Sequence, residues 1–432
     1  MAPRTAPVQT SPDIPVSTTV VVIGAGIVGL SAALALAERG IPVTVLEKGR
    51  IAGEQSSRNL GWVRKTNRAA ADVPLAQAAD KIWATMAQRT GVDVGYRQAG
   101  IMFAARTPAQ MEMYETWVNS VAALDLGSRL LSPGEIAALV PGGQGKWLGG
   151  IITPSDGRAE PTLAPSAIAS AAIAKGAIIV ENCAVRGLET RAGQVCGVVT
   201  ERGEIACDQV ILAGGLWSRR FLGNHGIAFP TLPLICSVLR TSPIEGPTDI
   251  ALGAPDFSFR KHISGGYIVT NRGGIDAPLT LDHLLLGLRY LPQLRAMRDV
   301  VRVGFGAEFF RDLRLPRRWR NDELSPFEQV RTRDPEVNHR PNAEALANLR
   351  AAWPVFEQAQ IVEEWAGAID VTPDSDPVIG PAAMLPGLTI ATGFSGHGFG
   401  TGPAAGHLAA DIATSAPPIV DPTPYRFERL SR

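Results

Sequence analysis

Apolar positions follow two different periods along this chain, and the first switch between them comes early. Val20, Val21, Val22 and Ile23 form an uninterrupted β-branched run, the pattern of a strand buried on both faces. Gly24, Gly26 and Gly29 break it, and an alanine- and leucine-rich stretch with helical spacing then reaches Arg39. Gly40 closes that helix, and Ile41 to Leu46 predicts a second parallel strand followed by Glu47 and Lys48. A strand, a glycine turn, a helix and a second strand ending on an acid make a dinucleotide-binding unit. Gly24 permits the tight turn and Gly26 lets backbone approach a pyrophosphate. Ile27 and Val28 open the helix, whose N-terminal end would face the phosphates, and Gly29 lets it pack on the strand. Glu47 is placed to accept hydrogen bonds from an adenosine ribose, which favours an unphosphorylated one.

Beyond this unit the pattern alternates between short strands and helices. The segment Gly53 to Arg64 is too polar and glycine-rich for a regular element. Gly53, Ser56, Ser57, Arg58, Asn59, Gly61 and Trp62 suit a loop wrapping a long cofactor; a solvated loop with a helix cap is the plainer alternative. Pro74 to Arg89 and Met111 to Leu126 read as helices, Val94 to Ala104 as a strand pair, and Ser132 to Glu135 as a capped helix start. Strands are expected over 177–180, 184–188, 195–200 and 205–212, the second of them containing Val185. The last runs into Gly214, Gly215 and Trp217, a turn where backbone can approach the same cofactor. From Thr231 to Thr270 the alternation suits an antiparallel sheet carrying Arg260, His262 and Tyr267. Leu281 to Leu294 reads as a helix with one apolar stripe, and the charged run from Arg311 to Arg340 as a solvated loop or a partner surface. A last strand, Leu388 to Ala391, meets a second glycine-rich turn with Gly393, Gly396, His397, Gly398, Phe399, Gly400 and Thr401 opening a helix. Its dipole would stabilise negative charge on a bound ring.

Composition narrows the function classes. The 432 residues, 45% of them hydrophobic, supply a large core, and 41 basic against 41 acidic residues leave no global field for nucleic acid or an anionic membrane. No apolar run approaches the ~20 residues of a membrane span, and Met1 to Val16 reads as a flexible extension without a signal-sequence core. A cytoplasmic location is expected. Cys183, Cys196, Cys207 and Cys236 lack metal-ligand spacing, which favours reduced thiols and no metal.

The run GAGIVGLSAA from Gly24, the segment TPDSDPVIG from Thr372 and the run GFSGHGFGTGP from Gly393 resemble the D-amino acid oxidase (DAO) superfamily of FAD-dependent oxidoreductases. LEKGRIAGEQSSRN and IDVTPDSDPVIG place the resemblance nearest the branch of the sarcosine oxidase β-subunit, dimethylglycine dehydrogenase and γ-glutamylputrescine oxidase. It implies an α/β fold: a Rossmann-like FAD-binding domain interleaved with an antiparallel-sheet α+β substrate domain. The expected division is an extension at 1–17, FAD-binding parts at 18–92, 161–228 and 363–432, and substrate parts at 93–160 and 229–362.

By the same resemblance, an amine or amino acid (a secondary amine, an N-alkyl amino acid or a D-amino acid) would give a hydride to flavin N5, and the imine would hydrolyse. Oxygen or another electron acceptor would complete the cycle. The cysteine that anchors flavin in many relatives is absent between Trp365 and Asp370, so FAD is expected to be non-covalent. Gly400 and Ile369 stand where relatives carry a carboxylate-binding lysine and arginine, and Gly266 to Thr270 lacks the lysine some oxidases use with oxygen. Arg64 is then the leading substrate anchor, with Tyr267 and His397 as further catalytic candidates. Two alternatives stay open. One is C–O oxidation of a 2-hydroxy acid or glycerol phosphate, with Arg64, Lys65 and Arg68 as the basic cluster. The other is the flavin subunit of a hetero-oligomer contacting its partner through 311–340.

Overall fold

The computed structural model describes residues 3–296 and 300–431; Met1, Ala2 and Arg432, at the ends of the expected outer segments, lie outside these. Among the described residues two sheets carry the fold. The first has eight strands, and Leu388–Thr392, Gly203–Leu212, Ser17–Ile23, Val43–Leu46 and Ile178–Val180 lie parallel in that spatial order. Val378–Pro381 closes one edge antiparallel, and the pair Val185–Arg191 and Gln194–Thr200 folds antiparallel onto Gly203–Leu212. The helix Ile27–Glu38 has almost every residue through Ala37 buried, because it lies between this sheet and the helices Ala164–Ala174 and Gly398–Ala413. A Cβ on Gly406 would stand 2.4 Å from the Val28 carbonyl oxygen, so the helix pair meets backbone to backbone.

The second sheet runs Ile361–Val371, Leu232–Thr241, Tyr267–Pro278, Phe257–Lys261, Ala251–Gly253, Ile101–Ala105, Gly149–Thr153 and Arg129–Leu131, with Val301–Gly304 beside Tyr267–Pro278. Most of its pairings are antiparallel, and alternation gives it two distinct faces. Leu239, Phe257, Phe259, Tyr267 and Val269 bury against the helix His339–Ala352, while Val238, Ile268 and Trp365 pack on Leu60 of the wrapping loop. That second face looks toward the first sheet.

Three expectations need correction. The N-terminal segment is tied down from Thr5 onward: the Thr5 hydroxyl donates to the Ile51 carbonyl, Ala6 and Ser11 donate backbone hydrogen bonds to Thr162 and Ile179, and Ser166 donates to the Ala6 carbonyl. Its irregular backbone pairing leaves no periodicity to read. The stretch 281–294 breaks into Leu281–Leu286, a 3-10 turn and Leu291–Ala296, with Leu284, Leu285 and Leu288 exposed. The charged run 311–340 is not simply solvated, because its charges are paired. Arg331 pairs with Glu201, Glu328 with Arg186, Asp334 with Arg58 and Arg333 with Glu308, so Trp319 and Phe327 can be buried beneath them.

Among the described residues no helix is long and apolar enough to cross a membrane, no group of acids, histidines and cysteines could hold a metal, and the four cysteines are unpaired.

Candidate active site

A long cavity, open to solvent along part of its length, runs from the first strand's end to the start of the last long helix. At its head Gly24, with φ +104°, turns the chain so tightly that a Cβ there would lie 2.6 Å from the Ala213 carbonyl oxygen. The helix then starts at Ile27 with Gly26 as an N-cap that has no side chain, and its first intrahelical bond is Leu30 to Gly26. The Ile27 amide donates to Ser56 Oγ at 2.9 Å, whereas those of Val28 and Gly29 have no intrahelical acceptor. This is an open anion-binding terminus. A Cβ on Gly29 would fall 2.1 Å from the Gly24 carbonyl oxygen, the close packing its position predicts.

Glu47 holds both sides of the adjoining turn, accepting from the Ala25 amide at 2.9 Å and the Gly49 amide at 2.8 Å. Burial is the strongest influence on its carboxyl and pushes its pKa up against Lys48 and these two amides, so further donors such as ribose hydroxyls would be stabilising. Glu54, which the sequence did not single out, accepts from Lys48 at 2.8 Å and from the Trp217 indole at 3.0 Å. Lys48 in turn lies 4.4 Å from the Trp217 ring centroid and donates to the carbonyls of Val330 and Arg331. Phe327, Arg331 and Thr332 therefore form one wall, from a segment read only as charge. Gly53, Asn59, Val185, Gly214 and Gly215 line the cavity as well. Toward its far end stand Ile369, Asp370, Phe394, Gly396, Gly398 and Phe399. Asp370 accepts from the Gly393 amide at 2.8 Å and from Thr392 Oγ1 at 3.3 Å, and burial raises its pKa. Its only sequence signal was a place two residues before the Thr-Pro-Asp turn.

The groove fits a dinucleotide: glycines where a side chain would block it, unpaired helix amides at its head, and buried acids that need hydroxyl donors. Several expected contacts lie outside it. Ser57 donates to the Glu54 carbonyl, and Arg58 is spread over Asp334 and the carbonyls of Gly53 and Ala366, which fixes the loop instead of lining the cavity. A Cβ on Gly61 would meet the Ala159 carbonyl oxygen at 2.5 Å, one on Gly393 would meet Thr372 at 2.6 Å, and one on Gly400 would meet the Trp62 carbonyl oxygen at 2.7 Å. These three glycines serve packing. Thr401 Oγ1 donates to the His397 carbonyl within its own helix.

Beyond the cavity's far end lies a cluster of cationic side chains. Arg64 Nη1 donates to the carbonyls of Thr66 and Asn67, and Nη2 lies 3.1 Å from His397 Nε2. A guanidinium only donates, so His397 Nε2 accepts and the proton sits on Nδ1. Burial, with Arg68 and Arg64 adding to it, holds the imidazole well below its ordinary pKa, so it is neutral. Arg64 itself is pushed down to about 9 by burial, then by Arg68 and Arg272; it remains a cation at neutral pH.

Arg272, absent from the sequence candidates, is the second cation here. Its guanidinium carbon lies 4.8 Å from the Phe103 ring centroid, with that of Arg64 at 5.7 Å from the same ring. Gly253 makes room for it, since a Cβ there would lie 2.8 Å from Arg272 Nη1. Burial lowers its pKa, and among the described residues it has neither a hydrogen-bond acceptor for its guanidinium nor a carboxylate within 4 Å. Trp62 stands edge-on to Phe103 at 5.6 Å, and its Nε1 is buried without a partner.

The other candidates sit elsewhere. Strand alternation puts Tyr267 on the opposite face, where its ring packs on Phe259 and Phe356 and its hydroxyl donates to the Thr248 carbonyl. That is a core position, not a catalytic one. Arg260 forms a buried bidentate pair with Glu160, and His262 lies 3.3 Å from the same carboxylate. Nor is the basic cluster after Arg64 free for a phosphate: Lys65 pairs with Asp80 and Asp156, and Arg68 with Asp72.

Comparison with known proteins gives a consistent picture. The family model described as FAD dependent oxidoreductase (DAO) matches residues 19–412. Glycine oxidase of Pseudomonas aeruginosa is 27% identical over 427 residues, covering 95% of this chain and 98% of that protein. The 4-methylaminobutanoate oxidase (formaldehyde-forming) of Paenarthrobacter nicotinovorans is 26% identical, but the chain spans only 46% of its length. Among solved structures, L-amino acid deaminase from Proteus myxofaciens in complex with anthranilate is 33% identical, with a TM-score of 0.95 over 99% of this chain and 97% of that one.

Proposed function

Because the chain belongs to the DAO family of FAD-dependent oxidoreductases, we propose that it oxidises the C–N bond of an amino acid held by its carboxylate beside the flavin. The observation that carries this reading is Arg272, a half-buried guanidinium with no counterion among the described residues, set over Phe103, the ring that Arg64 also faces. A cation partly withdrawn from water without an anion is unfavourable, and a carboxylate in the fork of a guanidinium satisfies charge and donors together. The relatives support a C–N substrate, since their names are those of amine and amino-acid oxidising enzymes.

When bound, the flavin supplies the two-electron acceptor and the protein supplies orientation. Glu47, Ser56 and the open amides of Val28 and Gly29 would hold the dinucleotide, and the terminus at Gly398 and Phe399 its far end. Arg272 fixes the carboxylate, and Phe103 and Trp62 form apolar walls that keep water from the reacting carbon. Arg64 keeps His397 in one tautomer, leaving the Nδ1 proton as a donor.

Anaerobic bleaching of the flavin by a panel of L- and D-amino acids, N-alkyl amino acids, carboxylate-free amines and 2-hydroxy acids tests the reading. We expect amino acids to bleach it, and Arg272→Met to weaken amino acids about 30-fold or more, the effect of a lost charge-assisted pair, while leaving amines lacking a carboxylate unchanged. Bleaching by hydroxy acids alone would overturn the C–N assignment, and no bleaching at all would favour a required partner subunit. Rapid recolouring in air would identify oxygen as the acceptor.

A further inference from the structure

We propose that the substrate carries two carboxylates, one for Arg272 and one for Arg64. This rests on the reading of the site as an amino-acid site and adds the class of amino acid.

A guanidinium has five N–H groups and a carboxylate takes two of them when it binds in the fork. Arg64 uses two on the carbonyls of Thr66 and Asn67 and one on His397, which leaves two. Arg272 has all five without an acceptor among the described residues. A single α-carboxylate fills one fork and leaves the other cation half-buried without an anion, which is unfavourable.

The neighbours show that this is selective. In the same stretch of chain Arg58 is paired with Asp334, Lys65 with Asp80 and Asp156, and Arg68 with Asp72. Arg64 stands among these cations and lacks a carboxylate within 4 Å among the described residues. Its hydrogen-bond acceptors are neutral, and burial with Arg68 and Arg272 outweighs the more distant Asp156 and Asp72 in lowering its pKa. Both guanidinium carbons lie near one ring, Phe103, at 5.7 and 4.8 Å from its centroid, which keeps them at most about 10.5 Å apart. An amino acid with an acidic side chain, or an amine flanked by two carboxylated carbons, carries two carboxylates on that scale.

The test uses the FAD-loaded enzyme and ligands without an amine, so that binding is read apart from turnover. Succinate, glutarate and butyrate are titrated while the visible spectrum of the flavin is followed. We expect succinate or glutarate to bind about 10- to 100-fold more tightly than butyrate, the range for one added charge-assisted pair. Arg64→Met, or Arg64→Lys should the first variant fold poorly, should erase most of that preference without loss of bound flavin. Equal affinities for the mono- and dicarboxylates in the wild-type enzyme would overturn the second-carboxylate proposal and leave the anchor standing. If none of the three perturbs the flavin, the carboxylate site itself is misassigned and both readings fall.

Discussion

The buried pair between Arg260 and Glu160 makes the most exacting prediction about the scaffold beside the site. Its two hydrogen bonds are 2.6 and 2.8 Å long, and the two side chains are only 1% and 2% exposed. Arg260 Nε also donates to the Leu60 carbonyl, and a Cβ on Gly61 would lie 2.8 Å from that nitrogen. The pair therefore pins the loop that leads directly to Trp62 and Arg64. Arg260→Met leaves Glu160 buried with the Ile263 amide and His262 in contact and Arg158 and Arg97 acting on it from further away. Breaking one side of a buried pair costs about 3–5 kcal/mol, whereas replacing both sides with apolar groups of similar size is often close to neutral. We therefore expect Arg260→Met and Glu160→Leu each to lose about 3 kcal/mol or more in urea unfolding of the FAD-loaded protein, and the double variant to recover most of it.

Acid should shrink that loss. Burial is the largest influence on the Glu160 carboxyl and acts upward, but Arg260, with help from His262 and the Ile263 amide, outweighs it and holds the pKa below its usual value. A carboxyl depressed in the folded state gives stability that is complete above its unfolded pKa, about 4.3, and is lost as pH falls through the folded value. The gap between wild type and Arg260→Met should therefore close below about pH 4. A single-variant loss under about 1 kcal/mol, or a double variant that costs the sum of the singles, would refute the reasoning.

Tyr267→Phe should cost about 1 kcal/mol through the lost bond to the Thr248 carbonyl and leave kcat/KM within about twofold; a larger kinetic effect would contradict its core placement. Asp376 is raised to about 6, chiefly by burial and then by Asp72 and Asp374. A raised carboxyl binds its proton more tightly when folded, so stability falls as pH rises from about 4 to about 6. Thermal unfolding should find Asp376→Asn more stable than wild type at pH 8 and equal to it at pH 4, and equal stability at pH 8 would contradict this.

The dinucleotide end of the site was legible because its chemistry is local. Gly24, Gly26, Gly29 and Glu47 lie within one strand–helix–strand unit, and their spacing already fixes what each can touch. The wall at Phe327, Arg331 and Thr332 was not, because what lets a charged segment pack is far away in sequence. Arg331 finds Glu201 and Glu328 finds Arg186 across more than a hundred residues. Charge density alone reads as solvent exposure. The N-terminal segment was misread for a related reason: a chain that bonds irregularly to several elements shows no period.

The substrate end turned on sheet faces and subtraction. Residue type favoured Tyr267 on its strand, but Tyr267 packs into the core face, and a register break between Thr270 and Ile275 interrupts the alternation where Arg272 turns to Phe103 on the other face. Which face meets the cofactor depends on where the first sheet lies, and the strand's own residues do not carry that. Arg64 was the leading anchor in the sequence, but Lys65 and Arg68 beside it offered the same charge until their partners were known. Asp72, Asp80 and Asp156 neutralise Arg68 and Lys65, and the same three acids leave Arg64 without a pair. A cation becomes informative about a ligand when the protein's own anions have been assigned to others, and here that assignment leaves two guanidiniums over one aromatic ring.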